Sequence, residues 1–269
     1  MRAATDQESS MTAVNLAHRV PLLTALLFLS VLAPVTVNAD VYDEAVAQSG
    51  RSRGDLERDP IDHPAEVLRL AGIHSGMQVA DILSAGGYNA ELLSYIVGPS
   101  GHVFMLNNAA TDNWSGNYWK IRLANNRLPN VEHQTIDIEH LPLPDRSLDA
   151  EVFIKDYHDL YWIDDNPKTL WPRIRAGKVL DELARVLKPG GILLVVDHSA
   201  KPGTGRMDAQ RLHRIDEAYA RADFEKHGFE FVSQSDVLRR PDDKRDQISY
   251  KPPMLGKTDR FVLVFHRRA

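Results

Sequence analysis

The stretch "VADILSAGGYNAELL", Val79 to Leu93, reads as a buried strand, a glycine turn and the opening of a helix. The same alternation recurs on both sides of it. Upstream, "HPAEVLRLAGIHSGM" puts Val67, Leu68 and Leu70 on one helical face before a glycine-bounded turn. Downstream, a helix over 90–96 ends at "GPSG", and "HVFMLNN" supplies a second strand. "NYWKIRLANNRLP" predicts a helix and "VEHQTID" a short third strand, while "LDAEVFI" forms a fourth after the proline-rich "LPLPDRS". "KVLDELARVLKPGG" is an amphipathic helix stopped by proline and glycine; it feeds "ILLVVDH", a continuous apolar run of the kind central parallel strands show. The C-terminal third predicts one charged helix over about 207–227, then "FEFVSQSD" and "DRFVLVFHR". With no helix between them, those two strands can pair antiparallel. The fold expected is α/β: a doubly wound, mostly parallel seven-stranded sheet with a terminal antiparallel strand.

The composition, 43% hydrophobic and 26% charged without repeats, is that of a globular protein with one main domain. A formal net charge of −5 gives no basic field for nucleic acid, and the absence of cysteine excludes disulfides, thiolate catalysis and Cys-type zinc sites. The apolar run Val20 to Val37 ends in Val37-Asn38-Ala39, a small-residue cleavage pattern. Residues 1–39 therefore predict a signal peptide cut after Ala39, with Met11 an alternative start; the other reading is an uncleaved membrane anchor. The expected location is periplasmic or secreted, with no membrane attachment after cleavage. Residues 40–63 read as a short helix and a polar linker, "SGRSRGDLERDP", and residues 64–269 as the principal domain.

Three segments carry a family resemblance: "GMQVADILSAGGY", "IDIEHLPLPDRSLDAEVF" and "LARVLKPGGILLVVD". Together with the element order, they resemble class I methyltransferases that use S-adenosylmethionine, over about 64–267. "YHDLYW", "LHRID" and "GKTDRFVL" further resemble a group of exported methyltransferase-like proteins. The resemblance implies S-adenosyl-L-methionine as cofactor, bound beyond the carboxyl ends of the strands where strand order reverses. It implies contacts from Asp81, Ala85, Gly86 and Gly87 in the loop, from Asn107 after strand two, and from Asp137 after strand three. The usual acidic-x-Gly-x-Gly-x-Gly pattern falls on Asp81, Leu83, Ala85 and Gly87, so two glycines are replaced, and Asn107 stands where an acid usually meets the ribose. A GxGxxG dinucleotide loop does not fit the spacing.

Methyl transfer from a sulfonium needs alignment, exclusion of water and, for a protonated acceptor, a base. "KDYHDLYW" after strand four brings Tyr157, His158, Asp159, Tyr161 and Trp162 to the expected pocket mouth, and Asp197 and His198 end strand five on the same side. His158, His198 and Tyr157 are the candidate catalytic residues; Asp159, Tyr161, Trp162, Asp197 and His213 are candidates for the substrate. In "LHRID", His213 and Asp216 are expected on one face of a helix. Three histidines near carboxylates could hold a divalent ion, but their spacing is no recognised metal motif, and no metal ligand is assigned. The first functional reading is an exported methyltransferase acting on a small-molecule or protein acceptor. The alternative is a binding protein on the same fold that has lost turnover.

Overall fold

The computed structural model describes residues 40–164, 166 and 171–269; the signal-peptide reading lies outside them. Among the described residues no helix is long and apolar enough to cross a membrane.

Seven strands form one sheet: β1 (Gln78–Ile82), β2 (His102–Asn107), β3 (Val131–Thr135), β4 (Leu148–Ile154), β5 (Leu187–His198), β6 (Phe229–Ser235) and β7 (Arg260–Arg267). Their order is β3-β2-β1-β4-β5-β7-β6. The first five pair in parallel, while β7 runs antiparallel to both β5 and β6. Strand order therefore reverses between β1 and β4, which places the ligand crevice at the carboxyl ends of those two strands.

Each sheet face carries its own apolar core. One is covered by α3 (Pro64–Leu70) and α4 (Tyr88–Val97), whose Val67, Leu68, Leu93 and Ile96 pack on Val79, Val103 and Val152. The other is covered by α7 (Ala176–Val186) and α9 (Glu217–Lys226), whose Val179, Leu183 and Phe224 meet Phe153, Leu193 and Phe265. Each aliphatic side chain so buried stabilises the fold by ~1.5–3 kcal/mol. Alternating residues of β1 and β4 thus serve both layers.

Three local expectations are corrected. The polar "linker" is largely a helix, α2 (Arg53–Asp62), which follows α1 (Val41–Val46) and starts where the Ser52 hydroxyl accepts from the Asp55 N–H at 3.1 Å. It has too few apolar residues to show a period, and ion pairs dock it instead. The segment expected to be one helix over 207–227 is two, α8 (Met207–Leu212) and α9, with His213 left-handed at φ 49° between them. Ile215 leaves helical geometry because its backbone bonds to the end of β5: its N–H donates to His198 O and its carbonyl accepts from Ala200 N, both at 2.9 Å. Hence His213 ends one helix and Asp216 caps the next, so the two do not share a helical face. The helix expected over 117–129 shrinks to α6 (Trp119–Arg122) and a 3-10 turn, preceded by α5 (Ala109–Trp114), which begins at an Asn108 cap.

Candidate active site

The loop after β1 lies at the crevice. Leu83, Ala85 and Gly87 all take left-handed backbone, at φ 53°, 52° and 82°. For residues with a Cβ this costs ~1–2 kcal/mol each. Leu83 offsets its share by burying its side chain in the core. Of the two glycines in this turn, Gly87 has the less space: a Cβ there would lie 3.0 Å from both Arg122 and Met105. Asp81, wholly buried, receives the Ser84 hydroxyl, and burial pushes its carboxyl up to about 7. It braces the turn from beneath.

Asn107 holds the other side. Its Oδ1 accepts from Ala85 N at 2.9 Å, while its Nδ2 donates to Ala85 O at 2.9 Å and to Asp112 Oδ1 at 2.7 Å. Asp112 in turn faces His133 Nε2 at 2.9 Å and accepts from the Thr135 hydroxyl at 2.5 Å. Asn107 is fully buried, so its amide acts as a clasp joining the end of β2 to the loop. Ala85 and Gly86 remain partly exposed. Asp137, after β3, is exposed; it accepts from Glu139 N at 2.9 Å and faces His140 Nδ1 at 2.8 Å, contacts that hold its carboxyl below the usual range.

The N-terminal helices supply a second brace that the sequence does not announce. Arg122 Nε donates to Gly86 O at 2.6 Å, and the same guanidinium binds Asp55 at 2.8 Å and the buried Glu91. Asp59 of α2 accepts from the Tyr88 hydroxyl at 2.7 Å, directly after the turn. Asp62 is surrounded by Arg58 at 2.5 Å, Lys155 at 2.7 Å and Arg260. Burial alone would raise the Asp62 carboxyl, but these cations hold it far below its ordinary range. Charged residues 198 positions apart, such as Asp62 and Arg260, leave no local pattern to read.

At the ends of β4 and β5 stands a histidine cluster. Buried Asp197 accepts from His158 N at 2.7 Å and from His198 N at 2.7 Å, and its Oδ1 lies 2.7 Å from His158 Nδ1. His158 Nε2 lies 3.2 Å from Asp159 Oδ1, and His213 Nδ1 lies 3.0 Å from the same oxygen. Burial opposes charge on His158, yet Asp159 and Asp197 outweigh it and raise the imidazole well above its ordinary value. Both of its ring nitrogens are engaged, so it is a poor base as it stands. His198 differs: burial, then the cationic His158, Lys155 and Arg260, keep it neutral. Its Nδ1 pairs with the Thr258 hydroxyl at 2.8 Å; in the tautomer that carries the proton on Nδ1, Nε2 is the acceptor. The His158 and His198 rings are 5.8 Å apart.

The aromatic candidates separate. Tyr157 is fully buried, packs on Phe224 at 4.8 Å and donates to Asp223 Oδ2 at 2.8 Å, which places it in the core away from the histidines. Tyr161 binds the same carboxylate. Together with Trp162, it lines a cleft of about 920 Å³ that also takes in Ile163, Arg206 and Tyr219. The Trp162 ring lies 5.2 Å from His213, so the cleft wall and the histidine cluster adjoin.

A family model described as "Methyltransferase domain" matches residues 86–195, from the glycine turn into β5. A ubiquinone/menaquinone biosynthesis C-methyltransferase, UbiE, of Pseudomonas fluorescens (strain Pf0-1) is 30% identical over 146 residues, covering 52% of this chain and 48% of the relative. The chain thus spans about half the length of the curated relatives it matches. Among solved structures, a SAM dependent methyltransferase from Aquifex aeolicus superposes with a TM-score of 0.53 at 21% identity, over 79% of this chain and 98% of the other. The [4+2]-cyclase SpnF superposes with a TM-score of 0.52 at 16% identity, over 83% of this chain and 85% of the other. At such identities the likeness concerns the fold, and SpnF's name marks how far reactions diverge upon it. Strand order, switch-point loop and domain match agree in their likeness to the class I S-adenosylmethionine-dependent methyltransferases, with the family match running over residues 86–195 of this chain.

Proposed function

We propose that the protein transfers a methyl group from S-adenosylmethionine to an acceptor held in the cleft beside Trp162. The observation that carries this reading is the retained backbone of the switch-point loop. Leu83 and Ala85 keep the left-handed turns that glycine would take without strain. Strain kept at a crevice, with an amide and an arginine bracing it, is the kind of cost that a binding site imposes on a fold.

The residues fit the cofactor at this loop and beside Asp137. Asn107 takes the Ala85 N–H and C=O and Arg122 the Gly86 C=O, so the loop offers a cofactor the partly exposed surface of Ala85 and Gly86, just ahead of the α4 N-cap at Gly87. Asp137 presents an accessible carboxylate. Asn107 has no unoccupied polar atom to offer, so its contribution is to hold the loop. When bound, the cofactor supplies an electrophilic methyl group on a sulfonium. The chain's own residues orient and desolvate the acceptor, and His198 Nε2 accepts its proton. The curated relatives are named for C-methylation in quinone biosynthesis; a cleft walled by Tyr161, Trp162 and Tyr219 with Arg206 suits an aromatic acceptor. Action outside the cytosol remains part of the proposal and rests on the apolar run before Ala39.

The clasped Asn107 favours a second reading, a binding protein on the same fold without turnover. Calorimetric titration with S-adenosylmethionine and its demethylated product separates the two. Micromolar binding weakened by Asp137→Ala supports the transferase; no heat and no thermal shift at millimolar ligand supports the alternative.

A further inference from the structure

The geometry points to a binding site for one divalent first-row transition ion formed by His158 Nε2, Asp159 and His213 Nδ1. These residues come from two separate segments, the end of β4 and the break between α8 and α9, and their candidate ligand atoms all lie within 4.8 Å of one another. The two distances through Asp159 Oδ1, 3.2 and 3.0 Å, carry the argument. Ligands ~2.0–2.2 Å from one ion sit ~3.0–3.4 Å apart at octahedral to tetrahedral angles. Both separations through Asp159 fall in that range.

A second observation supports the site independently. Asp197, fully buried, holds His158 Nδ1 at 2.7 Å and fixes the backbone N–H of the same residue at 2.7 Å. That carboxylate–histidine arrangement orients the ring and directs Nε2 at Asp159, as outer partners do for metal-bound imidazoles. Around His213, the rings of Trp162 at 5.2 Å and Tyr250 at 4.7 Å form an apolar collar. Low polarity there strengthens coordination and limits competing water.

Two imidazoles and one carboxylate suit zinc, iron, cobalt or nickel in the divalent state, and suit magnesium or calcium poorly, since those prefer all-oxygen shells. Three protein ligands leave coordination positions open, as in catalytic rather than structural sites. His213 adjoins the Trp162 wall of the cleft, from which an acceptor oxygen could complete the shell. Ion binding is measured here without cofactor, so this inference and the methyl-transfer reading fail separately.

The test uses the full protein stripped with a chelator and titrated with cobalt(II) alone, followed by visible d–d absorption, then with zinc as displacer. One saturating equivalent is expected. His213→Asn, which retains a residue tolerant of the left-handed position, and His158→Gln should each abolish the stoichiometric band. Asp197→Asn should keep it with affinity lowered ~10–100-fold, which a merely structural role would not produce. His140→Ala, at the exposed Asp137 pair, should change nothing. No saturable cobalt binding, or a band unaffected by His213→Asn in protein of native circular dichroism, overturns the site.

Discussion

Replacing Asn107 by aspartate restores the acid usual in the family, yet it should damage this protein. Asn107 Nδ2 donates to Ala85 O at 2.9 Å and to Asp112 Oδ1 at 2.7 Å, in a site closed to solvent. A carboxylate would turn both contacts into facing acceptors. One lost hydrogen bond is neutral, ~1 kcal/mol, and the other involves a carboxylate, ~1.5–3 kcal/mol; the acceptors left without donors enlarge the loss. The sum is ~3–5 kcal/mol at neutral pH, or on the order of 10 °C in Tm. The new carboxyl would be raised above its unfolded value, so the sign follows directly. The deficit is small below pH ~4 and grows as pH rises, by at most ~1.4 kcal/mol per unit, until the folded group ionises. Urea unfolding of Asn107→Asp and Asn107→Ala from acid to neutral pH is the assay, with the alanine variant losing ~2 kcal/mol independently of pH. An aspartate variant as stable as the native protein at pH 7, or one that binds cofactor more tightly, would refute the clasp.

Other outcomes follow from the same geometry. Ala85→Gly should leave stability within ~1 kcal/mol, since relief of left-handed strain offsets the added chain entropy, whereas Leu83→Gly should cost ~2–5 kcal/mol by emptying a core position; thermal unfolding compares them. Glu151 is fully buried with neither carboxyl oxygen hydrogen-bonded, and burial raises it well above its ordinary value. It therefore folds protonated, and stability drains as pH climbs above its unfolded value toward the folded one; Glu151→Leu should remove that slope and gain ~1–3 kcal/mol at neutral pH in denaturant titrations. If the transferase reading holds, His198→Gln should lower turnover ~10²-fold with cofactor affinity unchanged, while Tyr157→Phe should alter stability by ~1 kcal/mol and turnover little.

What the sequence disclosed depended on the range of the forces involved. The strands and the large amphipathic helices were legible because apolar periodicity is local, and "ILLVVDH" and "LDAEVFI" fall on β5 and β4 in the central sheet. α2 was not legible, because its docking rests on Asp55, Asp59 and Asp62 pairing with residues far along the chain. The break at His213 was hidden for a similar reason: the backbone of Ile215 is claimed by β5, a tertiary demand that overrides helix propensity. At the candidate site, His158, His198 and Asp197 were singled out by their position at or after strand ends and His213 by a helical spacing that the fold breaks, but which histidine is neutral depends on cations that only the fold assembles.

The Asp62 cluster bears on the sequence of events in folding. The carboxylate sits near the start of the described chain, and its cations arrive in turn: Arg58 at once, Lys155 at mid-chain, Arg260 from the last strand. A chain that lengthens from its N-terminus on a ribosome gains the Asp59–Tyr88, Asp55–Arg122 and Asp62–Lys155 contacts of α2 before β7 has emerged. Arg260 arrives last and adds the pair that ties the helix bracing the switch-point loop to the final strand of the sheet.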